Sequence, residues 1–187
     1  MIMNENQTNF FVITGGPGVG KTSLINELSK RNFQVVDEDA REIIRNQMHQ
    51  NGDALPWKNK ELYAKFILDA SIKSYENFIS LKTSKPIFFD RGILDTICYM
   101  KMESLAITDE ILQKLKRYKY NQKVFILPPW EEIYSTDEEL KQDWKEAEKT
   151  FQFMFKTYKE FGYEVIEVPK ISIESRADFV INQLYLF

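Results

Sequence analysis

The sequence predicts an α/β protein built as a three-layer, doubly wound sandwich around a five-stranded parallel sheet, and three observations support that prediction. Phe10–Ile13, Phe33–Val36, Ile87–Phe89, Val124–Leu127 and Val165–Val168 are apolar runs too short for helices and suited to strands buried on both faces. Segments with helical periodicity separate them. Between the first run and the first helix lies a glycine-rich turn, which places that strand at the centre of the sheet.

That turn, Gly15-Gly16-Pro17-Gly18-Val19-Gly20-Lys21-Thr22, fits G-x-x-x-x-G-K-[ST] at every fixed position and is read as the P-loop of an NTPase. Its glycines let successive N–H groups approach an anion, and the helix that follows adds its positive dipole end. Gly15 to Ser23 are therefore the candidate nucleotide-binding segment for ATP or another NTP. Within it, Lys21 is placed to reach the β- and γ-phosphates, and the Thr22 hydroxyl to ligate Mg²⁺.

Composition excludes other classes. A chain of 187 residues with 43% hydrophobic and 28% charged residues has the balance of one ordered globular domain, so a single domain over 1–187 is expected. A net charge of −3 gives no basic footprint for nucleic acid or anionic lipid. Cys98, the lone cysteine, excludes an internal disulfide or a cysteine-cluster metal site and is read as a small buried residue. Met1–Asn6 lacks a signal-peptide pattern and no apolar segment has membrane-spanning length, so a soluble cytoplasmic protein is expected.

Along the chain, Leu24, Ile25 and Leu28 form the inner face of the first helix. The second strand ends in Asp37-Glu38-Asp39, at the sheet edge where ligands bind in open parallel sheets. Glu38 is read as the residue that meets a substrate hydroxyl or a metal-bound water, and one flanking aspartate as the cap of the next helix. Ala40, Ile43, Ile44, Gln47 and Met48 predict that helix's inward stripe. Arg41 is placed to pair with Glu38 or a substrate anion, while Arg45 and His49 are read as surface residues. Leu62, Phe66, Ile67, Ala70, Phe78 and Ile79 predict the core face of a long helix between about Lys58 and Lys82. Trp57 and Tyr63 are read as packing residues, with base stacking as the alternative.

The third strand ends in Asp90-Arg91-Gly92, a Walker B arrangement that places Asp90 near the Mg²⁺ on Thr22. Arg91 follows where motor ATPases carry a water-activating glutamate. An arginine cannot take a proton but suits phosphate or transition-state charge, which favours phosphoryl transfer over programmed hydrolysis. Thr108 caps a short helix. After the fourth strand, Pro128-Pro129 forces an extended exit, so a loop is expected from Trp130, and a possible lid lies at about 129–145. Thr136 and Glu139 read as the capping box of a long helix with Leu140, Trp144, Ala147, Phe151, Met154, Phe155 and Tyr158 inside. Lys141 and Lys145 are the basic residues there within reach of phosphates. Ser172 caps a last helix with Ile173, Ala177, Val180, Ile181 and Leu184 inside. Arg176, in its first turns, is read chiefly as facing solvent, with an approach to the adenine ring as the alternative that keeps it among the cofactor-binding candidates.

This ordered set resembles the small P-loop proteins known as AAA-type ATPases, which are related to the ribosylnicotinamide kinase domain of NAD-biosynthesis regulators. The resemblance spans nearly the whole chain. It is carried by Gly15 to Thr22, Glu38 and Arg41 in "DEDARE", Asp90-Arg91-Gly92 in "FFDRG", Arg117-Tyr118, Pro128-Pro129-Trp130, and Val168-Pro169 followed by Arg176. It implies a nucleoside/nucleotide kinase-like fold in which Glu38 serves as base and the Asp90-Arg91 pair assists. One departure is Leu140, where an arginine is expected in the lid helix.

The expected activity is a Mg²⁺- and ATP-dependent kinase acting on a small nucleoside-like or nucleotide-like acceptor, with Lys21, Glu38, Asp90 and Arg91 catalytic and Thr22 with Asp90 holding the metal. The rival is an NTP-binding switch that hydrolyses slowly and acts through a protein partner, suggested by Leu140 and the acidic lid. A Ras-type GTPase is disfavoured, because Asn59-Lys60-Glu61-Leu62 lacks the aspartate of the guanine-reading segment.

Overall fold

A computed structural model describes residues 8–81, 83–134 and 144–185. The strands are β1 (Phe10–Gly15), β2 (Gln34–Val36), β3 (Ile87–Asp90), β4 (Lys123–Leu127) and β5 (Glu164–Glu167). They form one parallel sheet in the order β2-β3-β1-β4-β5, so the strand feeding the glycine-rich turn is central, as expected. The helices are α1 (Lys21–Lys30), α2 (Asp39–His49), α3 (Lys60–Ile79), α4 (Ile93–Met102), α5 (Asp109–Leu115), α6 (Glu131–Tyr134), α7 (Trp144–Glu160) and α8 (Ile173–Gln183).

Alternation along the buried strands divides the core between the two faces of the sheet. Phe11 and Ile13 of β1, Phe88 of β3, and Phe125 and Leu127 of β4 pack with Leu24, Ile25 and Leu28 of α1 and with Ala177 and Val180 of α8. Phe10, Val12, Ile87, Phe89, Val124 and Ile126 point the other way. They join Leu68 and Tyr75 of α3, Ile97 and Cys98 of α4, and Met154 and Tyr158 of α7. The carboxyl ends of β1, β3 and β4 at Gly15, Asp90 and Leu127 lie along one edge, because parallel register brings all C-terminal ends together.

Several helix faces differ from the periodicity reading. In α3 the buried residues are Tyr63, Ala64, Leu68 and Tyr75, whereas Phe66 and Ile79 are exposed. The aromatic and small residues seat against the sheet through Phe10 and Tyr120, which leaves Phe66 and Ile79 outside, while Phe78 packs edge to face on Phe89 as predicted. In α2 the predicted residues Ala40, Ile43, Ile44 and Gln47 do form the less exposed side, but none is fully buried and Met48 is exposed, since the main packing partner of this helix is α3. Ile173 at the start of α8 is likewise exposed, and Trp57 projects 62% exposed from its turn and does not pack. Neither aspartate caps α2: its N-cap is Glu38, and Asp39 instead accepts a bond from Ser74 Oγ at 2.8 Å. Thr108 and Ser172 cap α5 and α8 through Ile111 N and Ser175 N.

After Pro128-Pro129 the chain forms the short helix α6 where a loop was expected. The expectations for Thr136, Glu139, Leu140 and Lys141, and most of the lid, lie outside the described residues. Truncating Phe88, which is fully buried between Phe11 and Phe33, should cost about 3–5 kcal/mol. Urea denaturation of Phe88→Ala measures it, and a loss under about 1 kcal/mol would contradict this account of the core.

Candidate active site

The site is built on the carboxyl edge of the sheet. β1 ends at Gly15, whose place beside β4 is so tight that an added Cβ would lie 2.9 Å from the Leu127 carbonyl oxygen. The turn then passes Val19, buried beneath it, to Gly20, which adopts φ +82° and leaves no room for a Cβ beside Arg176 Nη1. These constraints fix the loop above the start of α1, whose first N–H groups and dipole face a cavity of about 840 Å³. Gly16, Pro17, Gly18, Val19, Gly20, Lys21, Thr22 and Ser23 line the cavity, with Glu38, Arg41, Arg91, Trp130 and Arg176 across from them.

The floor is a network of charges. Lys21, only 5% exposed, bonds through Nζ to Asp90 Oδ1 and lies 3.5 Å from Glu38 Oε2. Arg91 Nε donates to Glu38 Oε1 at 2.7 Å, and its Nη1 donates to Asp95 Oδ1 at 3.1 Å. Arg41 Nε stands 3.4 Å from Glu38 Oε2, so it pairs with that carboxylate as the sequence allowed. Arg91 achieves its position from a left-handed backbone, φ +71°, with its N–H bonded to the Ile13 carbonyl at 3.0 Å. Such a conformation is uncommon for a residue with a side chain.

Burial and neighbours move the titrating groups in different directions. Burial raises Glu38, but Arg91 and then Lys21 outweigh it, and the carboxyl ends below its ordinary range. For Asp90 burial wins over the pull of Lys21, and its pKa is raised. Burial would lower Arg91, yet Glu38, Asp95 and Asp90 raise it. The arginine is therefore a permanent cation within a cluster of carboxylates.

Asp95 is the functional neighbour that sequence reasoning missed. It accepts from Arg91, from Gly92 N at 2.8 Å, from Tyr158 Oη at 2.6 Å and from the Thr14 hydroxyl. Its signal was local: it stands four residues after Arg91 and three after Gly92, in the first turn of α4.

Arg176 departs most from expectation. It is 4% exposed, not solvated. Its Nη1 donates to the Val19 carbonyl at 3.3 Å, and its guanidinium stacks over the Trp130 ring with the central carbon 4.6 Å from the centroid. The two form a flat wall beside the P-loop. Thr22 lines the same cavity, and Lys145 lies exposed on α7.

A second cavity, about 330 Å³, opens on the other side of the charge network. Glu38 and Arg91 line both cavities, and the second also has Tyr63, Tyr99, Thr96 and Asp39 in its walls. Cys98 is buried behind it, its thiol pushed up to about 12 by burial, which agrees with an inert core residue. Among the described residues no helix is long and apolar enough to cross a membrane.

Comparison with known proteins identifies the fold and the family. The chain superposes on deoxyadenosine kinase from M. mycoides with bound dATP at a TM-score of 0.58 and 15% identity, covering 95% of this chain and 99% of that one. Thymidylate kinase from Ehrlichia chaffeensis gives 0.64 at 20% identity, covering 95% and 98%. NadR protein in complex with NR gives 0.68 at 16% identity over 93% of this chain, which spans half of the NadR chain. At these identities the likeness establishes the fold, that of P-loop nucleoside and nucleotide kinases. No curated protein matches in sequence. The family model described as "AAA domain" matches residues 10–176, and the chain therefore belongs to that family of P-loop proteins.

Proposed function

We propose that the protein is a kinase that transfers the γ-phosphoryl group of Mg·ATP to a hydroxyl of a small nucleoside-like or nucleotide-like acceptor. The observation that carries this reading is the pair of cavities meeting at Glu38 and Arg91. A hydrolase needs room for water at that junction; a second walled cavity provides room for an acceptor molecule. Two proteins that share the fold bind such molecules, deoxyadenosine kinase with dATP and NadR with NR, and this supports a nucleotide and a nucleoside-like molecule as the ligands here.

The P-loop N–H groups and Lys21 would hold the β- and γ-phosphates, the Arg176–Trp130 wall would flank the base, and Arg91 would face the charge of the transferring group. The acceptor hydroxyl attacks the γ-phosphorus, the bond to the ADP oxygen breaks, and the hydroxyl proton passes to Glu38. Because Arg91 and Lys21 hold Glu38 ionised, its contribution is orientation of the hydroxyl more than basic strength. Lys21 must exchange Asp90 for phosphate oxygens when nucleotide binds.

The donor set fits magnesium. Among the described residues no three acidic, histidine or cysteine side chains form a metal cage, and Mg²⁺ takes one or two protein oxygens together with phosphate oxygens and water. The Thr22 hydroxyl and the Asp90 carboxylate would supply those oxygens, and the bound ion would neutralise charge on the phosphates.

ADP release from Mg·ATP, measured with and without a panel of nucleosides and nucleotides, tests the reading. We expect an acceptor-dependent rise that Lys21→Ala lowers about a hundredfold or more. Acceptor-independent release that only a protein partner accelerates would favour the switch instead. Glu38→Gln should lower acceptor turnover by about a hundredfold or more while nucleotide still binds, and unchanged acceptor turnover would remove Glu38 from its role.

The ion pair also predicts a pH dependence. A carboxyl held below its ordinary range contributes stability above that range and loses it as pH falls through the folded value. The stability advantage of the native chain over Glu38→Gln should therefore be largest near neutrality and shrink on acidification. An advantage that grows as pH falls would contradict the pairing with Arg91.

A further inference from the structure

Among the described residues, the second cavity carries a carboxylate that no side-chain cation balances. Glu38, Asp39, Asp90, Asp95 and Glu103 all line it. Glu38 and Asp95 are bonded to Arg91, Asp90 to Lys21, and Glu103 to Lys60. Asp39 has only hydroxyl partners, Ser74 at 2.8 Å and Ser71, and no ion pair joins it to a cation among the described residues. Serine hydroxyls satisfy lone pairs and the start of α2 supplies a partial positive charge, but among the described residues no full cation offsets this half-buried carboxylate. Burial, and then the neighbouring Glu42 and Glu38, outweigh the two serines and raise its pKa.

The same walls contain groups that await a polar ligand. Thr96 is 1% exposed and its Oγ1 has no hydrogen-bond partner, and the Tyr99 hydroxyl is also buried without one. Unpaired buried hydroxyls are costly in a core but serve a ligand that brings its own donors and acceptors. Tyr63 and Tyr99 meet edge to face, centroids 5.4 Å apart, and offer aromatic surface beside the acids. Among the described residues the one basic side chain lining this cavity is Arg91, already engaged by Glu38 and Asp95. An anionic acceptor would meet like charge here, and among the described residues no unengaged cation lines the cavity to receive it.

We infer that the acceptor is a cationic hydroxyl compound without a phosphate group, its positive charge set against Asp39 and its reacting hydroxyl against Glu38. This rests on the kinase reading for the direction of the hydroxyl, whereas the charge preference is a property of the cavity. Asp39 is thereby a specificity-determining residue that neighbours Glu38 in sequence but has a different task.

Calorimetric titration of the full chain with a non-hydrolysable Mg·ATP analogue present tests this without turnover. Two matched sets serve as probes: nicotinamide riboside, its uncharged dihydro form and its 5′-phosphate; and 7-methylguanosine, guanosine and guanosine 5′-phosphate. The cationic unphosphorylated member of at least one set should bind about tenfold more tightly than its neutral and phosphorylated counterparts. Asp39→Asn should abolish that preference without lowering the thermal midpoint, and Asp39→Glu should retain it. Equal or tighter binding of neutral or phosphorylated members, a preference untouched by Asp39→Asn, or no binding by any probe would overturn the inference. If a cation binds as expected but Lys21-dependent ADP release is absent, the charge inference stands and the kinase reading fails.

Discussion

Arg91 balances the charges on which the site depends. It follows a buried strand, turns through a left-handed backbone and places one guanidinium between Glu38 from the β2 edge and Asp95 from α4. The conformation costs about 1–3 kcal/mol. Its ion pairs and the bond from its N–H to Ile13 oppose that cost, and removing the guanidinium would leave two partly buried carboxylates facing each other. Asp95 extends the network to Thr14 beneath the P-loop strand and to Tyr158 in the core, so the chemistry of the edge is anchored to both the sheet and α7.

This arrangement separates two tasks at one junction. On one side are the backbone donors of the P-loop and the Arg176–Trp130 wall; on the other is a smaller pocket of acids, hydroxyls and aromatic rings. Lys21 stands between the two, paired with Asp90 and close to Glu38, and under the kinase reading it would also hold phosphate. A phosphoryl group arriving there would displace an internal ion pair with an external one. The exchange keeps the buried ammonium compensated throughout.

The strands, the central place of β1 and the phosphate loop were legible because each is written in contiguous residues whose backbone needs are local. Glu38 and Asp90-Arg91 were legible as two acids and a cation at strand ends, where topology dictates the edge they occupy. What escaped was pairing over distance. Arg176 meets Val19 across most of the chain, and its burial depends on Trp130, which the prolines before it deliver from a third segment. Periodicity found the less exposed side of α2 at Ala40, Ile43, Ile44 and Gln47, but it misplaced part of the α3 core face, where aromatic residues pull the buried side away from the aliphatic stripe. That Asp39 pairs with two serines and with no cation among the described residues is likewise a matter of distant contacts, which no spacing rule contains.

The central claim is that nucleotide phosphate and acceptor meet at the Glu38–Arg91 junction. A crystal structure with a non-hydrolysable Mg·ATP analogue tests it most directly. The account predicts the terminal phosphate inside the P-loop, Lys21 released from Asp90 onto phosphate oxygens, and that phosphate facing Arg91 at the mouth of the second cavity. A nucleotide bound with Lys21 still paired to Asp90, or with its terminal phosphate turned away from Arg91, would contradict it.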